Sequence, residues 1–245
     1  MTGVSRLLQG SVGSVVGVGA EILDRHVEMG YFHHVPKDRR QVIWNPAVVK
    51  GAGPGYRRPE RTTDDLVIGY LGRINIEKGV GTLLRACGKL PKTGWRLRVA
   101  GEAVAGLDEF QTLAGDMPID FLGFVPPKEF FDSIDVLVVP SIWPEPLPRT
   151  ILESYAMGVP ALGSRSGGIP DLIGHHNDAW LFEPDNAEML ASRLSALIAA
   201  PRESLPGTED FRNVLEQTTP AIVAEKYQQL YEQTIAANVN GSSNL

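Results

Sequence analysis

The hydrophobic pattern becomes regular from Leu66 onward, where short apolar runs alternate with amphipathic stretches. The apolar runs, read as strands, are Leu66–Leu71, Trp95–Ala100, Ile119–Phe124, Ile134–Pro140, Val159–Gly163 and Trp180–Phe182. Helical periodicity falls between most of them, at Val80–Leu90, Thr150–Met157 and Ala187–Ala199. Continuous apolar strands alternating with helices are typical of a parallel sheet covered on both faces. The pattern therefore predicts an α/β fold with a doubly wound parallel sheet, whose ligand binds beyond the carboxyl ends of the strands.

The chain before Leu66 follows a different pattern. A short strand at Ser14–Val18, a helix at Ala20–Met29 and another strand at Gln41–Trp44 form a strand–helix–strand piece with no sheet of its own to join. Gly, Pro and charged residues dominate the stretch that follows, which predicts a linker. After the sheet, helices are expected on either side of Pro220 and a disordered polar tail from Asn238. The predicted divisions are a remnant of another domain (1–50), a linker (51–64), the main domain (65–204), terminal helices (205–237) and a tail (238–245).

Composition and charge exclude several classes of protein. The 245 residues carry a formal net charge of −6 and no dense basic face, so a nucleic-acid partner is not expected. No apolar run approaches the roughly 20 residues that a membrane span needs, which leaves at most peripheral membrane contact. Glycines interrupt the apolar stretch near the start, so it is a poor signal peptide. Cys87 is the only cysteine, and a cytoplasmic location is expected.

The first group of residues with chemical potential is the octet from Gly72 to Gly79, which follows one strand and opens a helix. A loop in that position aims backbone N–H groups and a helix N-terminus at an anion. Arg73 and Lys78 add two positive charges that suit a diphosphate. The octet does not match the Walker A pattern. From these residues alone, solvated surface charge beside a tight turn is an equally good interpretation.

The second group runs from Pro140 to Glu153 and follows a very apolar strand, so it is expected at the ligand edge of the sheet. Eight residues separate Glu145 from Glu153, or about 12 Å if the segment is helical throughout. That separation is too long for a shared acid–base pair but matches the two ends of an extended ligand. Glu153 could bind ribose hydroxyls and Glu145 a sugar with its diphosphate. Alternatively, Glu145 only complements a helix dipole.

In chain order, these groups read G-R-x4-K-G, E-x7-E and then G-G-x-P at Gly167–Pro170. The combination resembles the retaining glycosyltransferases of family 4, the glycosyl transferases group 1 type. The resemblance is close over about residues 66–200 and weak over residues 1–50. It implies a GT-B arrangement, in which two Rossmann-like domains face each other and the carboxy-terminal one binds the nucleotide-sugar donor. Residues 1–50 would then be similar to the end of the amino-terminal domain.

The resemblance also implies roles for individual residues. Arg73 and Lys78 would hold the diphosphate and stabilise the charge that develops as it leaves, without a metal or other cofactor. Glu145 would engage the donor sugar and Glu153 the ribose. The remaining donor-binding positions implied are Gly72, Gly101, Gly123, Phe124, Val125, Leu147, Arg149 and Thr150.

Two departures from the family pattern limit this transfer of roles. Leu147-Pro148 stands where many members have Phe-Gly, and Pro148 cannot donate a backbone hydrogen bond to a phosphate. The acceptor half of the family's cleft, with a histidine near the donor sugar, has no counterpart here. The resemblance thus implies the donor-binding portion of a hexosyltransferase-type enzyme, inactive by itself, in polysaccharide or glycoconjugate biosynthesis. Its acceptor would be a carbohydrate or lipid-linked molecule, and a missing amino-terminal domain or a partner chain would complete the cleft. The alternatives are a non-catalytic sugar-nucleotide-binding subunit and a GT-B nucleotide-sugar epimerase.

Overall fold

The computed structural model describes residues 12–52, 56–60, 63–104, 106–200 and 202–242. Its strands are β1 (Val15–Gly17), β2 (Arg40–Val42), β3 (Leu66–Leu71), β4 (Trp95–Ala100), β5 (Ile119–Gly123), β6 (Val136–Val139), β7 (Ala161–Ser164) and β8 (Leu181–Phe182). Its α-helices are α1 (Ala20–Glu28), α2 (Val80–Cys87), α3 (Asp108–Ala114), α4 (Pro127–Asp132), α5 (Arg149–Ala156), α6 (Ile169–Ile173), α7 (Ala187–Ala199), α8 (Arg212–Gln217) and α9 (Pro220–Ser242). Short 3-10 helices cover Lys37–Arg39, Arg202–Ser204 and Thr208–Phe211.

Six strands form one parallel sheet in the order β5-β4-β3-β6-β7-β8. The chain moves outward from β3 in one direction through β4 and β5, then returns to the centre and moves the other way from β6. This is the strand order of a doubly wound fold, which confirms the predicted fold class. The loops that leave β3 and β6 turn in opposite directions, and they open a crevice between them at the carboxyl edge of the sheet.

Helices cover both faces of this sheet. On one face, α2 and α7 bury Leu83, Leu84 and Leu190 against the strands. On the other face, α4 and α5 bury Phe130 and Ile151. The central strands β3 and β6 are therefore apolar on both sides and read as continuous apolar runs in the sequence, whereas β4 and β5 carry the exposed charged residues Arg96 and Asp120.

The segment between β2 and β3 packs against the main domain. Val49 is buried in the core on the α4–α5 side, and the Ala47 N–H donates a 2.9 Å hydrogen bond to the Thr218 carbonyl. Tyr56 hydrogen-bonds Asp132, and the Arg58 guanidinium donates to the Ile134 carbonyl. Burial lowers the pKa of Arg58. The apolar and aromatic residues of the segment thus cover the flank of α4. Residues 53–55 and 61–62 lie outside the described part.

The first strands and the last helix also find partners. β1 and β2 pair in parallel, and Ile43 packs with Val223 and Leu230 of α9 in a small separate core. The terminal helix thus covers the strand–helix–strand piece, for which the sequence indicates no sheet to join. Because Ile43 lies about 180 positions from its partners in α9, the pattern of this core cannot be seen locally in the sequence. Helix α9 also continues through Ser242, which differs from the disorder expected from Asn238; residues 243–245 lie outside the description.

Within the described residues, no helix combines the length and apolar character needed to cross a membrane.

Candidate active site

The crevice between β3 and β6 holds a cavity of about 220 Å³. Its walls come from the end of β3 and the octet that follows, from the end of β6, and from the start of α5. The lining residues are Tyr70, Leu71, Gly72, Arg73, Lys78, Val138, Val139, Pro140, Ser141, Glu145, Leu147, Pro148, Arg149 and Thr150. The two predicted groups, far apart in the sequence, therefore meet at the switch point of the sheet.

Backbone and side-chain hydrogen bonds fix the octet. The Tyr70 hydroxyl donates to the Arg73 carbonyl at 2.6 Å, and the Lys78 N–H donates to the Asn75 side chain at 2.8 Å. Gly79 then begins α2 with a left-handed backbone, φ 73°. A Cβ at Gly79 would lie 1.8 Å from the Pro140 carbonyl oxygen, so only glycine permits this contact between the two loops.

The loop after β6 is held from two sides. The N–H groups of Ile142 and Trp143 both donate to the Glu77 carbonyl, at 2.9 and 3.1 Å. From the other side, the Gly168 N–H donates to the Glu145 carbonyl at 2.7 Å, and a Cβ at Gly167 would lie 2.1 Å from the same oxygen. The G-G-x-P motif thus has a structural role: it lets α6 approach the backbone that carries Glu145.

The central charged contact of the cavity is an ion pair between Lys78 and Glu145. The Glu145 side chain is 13% exposed and that of Lys78 is 24% exposed. The same Glu145 oxygen, Oε1, accepts a 2.9 Å hydrogen bond from the buried Ser141 hydroxyl. The Ser141 carbonyl in turn accepts a 2.6 Å bond from the buried Ser164 hydroxyl. Lys78 and Ser141, the two partners of the Glu145 carboxylate, therefore hold it toward the octet.

Ser141 is a site residue that the sequence-based prediction missed. Its signal in the sequence is a small polar residue placed two positions after a strand of four apolar residues, at the ligand edge of the sheet. Such a position on its own does not separate a ligand contact from a hydrogen bond within the loop.

The start of α5 forms the wall beside the ion pair. Leu147, Arg149 and Thr150 line the cavity, and Pro148 is the residue that precedes the helix. Glu153 lies one turn further along α5, outside the cavity lining, and its carboxylate contacts Arg149 at 3.3 Å. Burial raises the pKa of Glu153, and the opposing influence of Arg149 is smaller. The sequence predicts that Glu145 and Glu153 lie at opposite ends of an extended ligand; Glu145 lines the cavity and Glu153 does not.

The glycines implied as donor-binding positions lie at three neighbouring strand ends. The Gly101 N–H donates to the Gly123 carbonyl at 2.8 Å, and a Cβ at Gly101 would lie 1.8 Å from the Gly72 carbonyl oxygen. Phe124 follows with a largely exposed ring, and Val125 packs into the core on the α4–α5 side. Gly101, Gly123, Phe124 and Val125 do not line the cavity itself; they extend the same edge of the sheet away from Arg149.

No group of three or more His, Cys, Asp or Glu side chains in the described part of the chain is placed to hold a metal ion. The lining of the cavity supplies three cations, Arg73, Lys78 and Arg149, together with a carboxylate, hydroxyls and a helix start. That set can bind a phosphorylated ligand through charge.

Comparison with known proteins identifies similar chains. The family model described as glycosyl transferases group 1 matches residues 56–213. A protein of the cps region of Klebsiella pneumoniae is 30% identical over 167 residues, covering 68% of this chain and 42% of that protein. The amylovoran biosynthesis glycosyltransferase AmsK of Erwinia amylovora is 27% identical over 149 residues, covering 56% of this chain and 37% of AmsK.

Solved structures share the fold at low sequence identity. The crystal structure of HepE from Anabaena in complex with UDP-glucose superposes with a TM-score of 0.74 at 19% identity, and the match covers 95% of this chain and 66% of HepE. The chain spans about two fifths of the length of the curated relatives named above.

Proposed function

The chain belongs to the glycosyl transferases group 1 family, and we propose that it binds the nucleotide-sugar donor of a retaining, family 4 type glycosyltransferase. The proposed enzyme transfers a hexosyl group from a nucleoside-diphosphate sugar to an acceptor hydroxyl. The observation that carries the proposal is the switch-point cavity, where Arg73 and Lys78 meet the start of α5. Retention at the anomeric carbon is inferred from the G-R-x4-K-G and E-x7-E motifs.

In the proposed reaction, the bond between the anomeric carbon and the diphosphate oxygen breaks, and its electron pair remains on the diphosphate. The acceptor oxygen bonds to the anomeric carbon, and its proton passes to the leaving phosphate or to solvent. Arg73 and Lys78 stabilise the charge that accumulates on the leaving group, which is why no metal is included in the proposal. A bound diphosphate competes with Glu145 for Lys78, and this competition leaves the carboxylate able to accept hydrogen bonds from the donor sugar.

The remaining donor contacts follow from the arrangement along the sheet edge. Glu153 lies one turn beyond the cavity on α5, where its carboxylate can accept hydrogen bonds from ribose hydroxyls. The backbone at Gly123–Val125 offers a flat, open edge for the base. The UDP-glucose in the similar HepE structure supports a nucleoside-diphosphate sugar as the class of donor.

The acceptor and the rest of the enzyme are also part of the proposal. The similarity to a protein of a cps region and to an amylovoran biosynthesis glycosyltransferase supports a carbohydrate or lipid-linked acceptor in polysaccharide or glycoconjugate biosynthesis. Because the chain spans about two fifths of those relatives, we assign the acceptor domain to further sequence or to a partner chain, and expect no transfer by these residues alone. A cytoplasmic location fits the single, buried thiol of Cys87.

Isothermal titration calorimetry of the purified chain tests the proposal. UDP, GDP, ADP and their common sugar conjugates are titrated into the unaltered chain, Arg73→Ala and Glu153→Ala. We expect one nucleotide series to bind, with at least about tenfold weaker affinity for each variant, since a charge-assisted hydrogen bond contributes about 1.5–3 kcal/mol. Arg85→Ala is the control, because Arg85 is paired with Asp185 away from the cavity. Absence of binding to all series by a folded chain, or equal losses in the control, would contradict the proposal.

A further inference from the structure

A larger cavity, of about 620 Å³, lies on the other side of Arg73 from the switch-point cavity. It is formed by the octet loop, by the loop after β4 and by the start of α3. The lining residues are Arg73, Ile74, Asn75, Ile76, Glu77, Val104, Gly106, Asp108, Glu109 and Phe110. Since Arg73 lines both cavities, a ligand in the larger one would lie next to a group bound in the switch-point cavity.

Backbone pairing between the two loops builds the floor of the larger cavity. The Ile74 N–H donates to the Glu102 carbonyl at 2.9 Å, and the Val104 N–H donates to the Ile74 carbonyl at 3.2 Å. Ile74 also forms a parallel bridge with Ala103, and its side chain is buried. The walls are thus fixed relative to each other before any ligand binds.

Two large apolar side chains are exposed around this cavity. Ile76 is 74% exposed and Val104 is 65% exposed. They follow β3 and β4, strands in which most apolar residues are buried. Phe110 completes the apolar surface and is partly buried against the core on the α2 side. Exposed aliphatic side chains grouped around a concave surface are typical of a ligand-binding site.

The charged residues of the cavity are mostly acidic. Glu77, Asp108 and Glu109 contribute three carboxylates, and Arg73 is the one cation among the described lining residues. Asp108 and Glu109 also lie in the first turn of α3, where they complement the helix dipole. The dipole does not account for the exposed aliphatic residues on the opposite wall. Three carboxylates disfavour a diphosphate, whereas they accept hydrogen bonds from the hydroxyl groups of an uncharged ligand.

We propose that the larger cavity binds an uncharged sugar ring of the acceptor. The C–H face of the ring packs on Ile76, Val104 and Phe110, and its hydroxyl groups bond to Asp108 and Glu109. The ring would then present a hydroxyl beside Arg73, next to the donor's diphosphate. The inference rests on the proposed donor function, and it assigns part of the acceptor site to the same domain that binds the donor.

Backbone amide shifts of the ¹⁵N-labelled full chain test this proposal. Methyl α-D-glucopyranoside, methyl α-D-mannopyranoside and methyl α-D-galactopyranoside are each titrated with and without the nucleoside diphosphate that binds in calorimetry. We expect at least one glycoside to shift the amides of Ile76, Glu77 and Val104. Ile76→Ser and Asp108→Asn should each weaken glycoside binding about fivefold, the size of one hydrogen bond or one buried side-chain contact, without changing nucleotide affinity.

Two matched variants serve as controls for these substitutions. Leu113→Ser also removes an exposed aliphatic side chain, and Asp116→Asn an exposed carboxylate, and neither residue lines the larger cavity. Both should leave glycoside affinity unchanged. Nucleotide binding without any glycoside shift around Ile76 and Val104 overturns the acceptor inference and leaves the donor proposal intact. Shifts of these amides by the nucleotide alone, with competition from the glycoside, would assign the cavity to the donor and also overturn the inference. Glycoside binding without nucleotide binding would instead contradict the donor proposal.

Discussion

At the scale of single residues, the proposed function of Glu153 opposes the stability of the folded chain. The Glu153 carboxylate is 14% exposed, and its ion pair with Arg149 is made by a far more exposed partner. Burial disfavours the charged form of Glu153 more than Arg149 favours it, so the pKa of Glu153 is raised. A charged carboxylate kept in such a place destabilises the folded chain at neutral pH, and a bound ribose would compensate for it.

Replacing Glu153 with glutamine should therefore raise the melting temperature at pH 7. The raised pKa means that the folded chain binds the Glu153 proton more tightly than the unfolded chain does. The penalty is fully present above the folded-state pKa, and it disappears as the pH falls below the unfolded value of about 4.3. The melting temperatures of the two chains should consequently converge in acid. A calorimetric melting series from neutral to acid pH checks this, and a less stable glutamine variant at pH 7 would contradict it.

The residues of the site could be predicted from the sequence more completely than their contacts. The octet and the segment from Pro140 to Glu153 are both predicted to lie at the ligand edge, and both Arg73 and Glu145 line one cavity there. The pairing of Lys78 with Glu145 depends on β3 and β6 being neighbours in the sheet, and the order of strands has no local signal. The Ser141 hydrogen bond to Glu145 is local, but a small polar residue near a strand end does not reveal which partner its hydroxyl takes.

At the scale of elements, the strands and helices of the main domain are largely predictable from periodicity. Strands β3 and β4 and helix α7 have the predicted bounds. Helix α2 ends at Cys87 rather than Leu90, because the last residues form a turn with i→i−3 bonds from Lys89 and Leu90. Such turns preserve helical periodicity in the sequence while the α-helix has already ended.

The start of α2 provides a prediction at this scale. Gly79→Ala should lower the free energy of unfolding by about 3 kcal/mol or more, because a left-handed non-glycine residue costs about 1–3 kcal/mol and the new Cβ also displaces Pro140. Gly30→Ala is the matched control: Gly30 has φ 90°, but nothing lies within 4 Å of the position that a Cβ would take there. Gly30→Ala should lower the free energy of unfolding only by the cost of the left-handed backbone. Urea denaturation measures both, and equal losses would show that the contact between the two loops does not matter.

At the scale of the whole molecule, the last helix packs against the first strand pair. Helix α9 covers the β1–β2 pair through Val223 and Leu230, and the segment between that pair and β3 packs on the flank of α4. Neither contact is predictable from the sequence, because each joins segments remote in sequence and involves only a few apolar residues in otherwise polar stretches. The sequence therefore predicts the architecture of the main domain but not how residues 12–52 and 56–60 pack on it.

Leu230→Ala tests the role of this contact. Leu230 is buried in the small core, so its truncation should cost about 2–4 kcal/mol in the free energy of unfolding of that core. Hydrogen exchange should also become faster at Ile43, whose N–H donates a 3.0 Å hydrogen bond to the Gly17 carbonyl beside the strand pair. The neighbouring Tyr231 is exposed, and Tyr231→Ala should change the stability by no more than about 0.5 kcal/mol. Unchanged exchange in Leu230→Ala would mean that β1 and β2 are held by other contacts.

We propose that Arg73 and Lys78, in the cavity between β3 and β6, bind the β-phosphate of a nucleotide-sugar donor. The affinities of a nucleoside diphosphate and the matching monophosphate, measured for the unaltered chain and for Lys78→Met, test this assignment. The unaltered chain should prefer the diphosphate at least about tenfold, in line with a charge-assisted contact of about 1.5–3 kcal/mol, and Lys78→Met should lose most of this preference. An equal preference in both chains would place the diphosphate elsewhere and refute the role of Lys78.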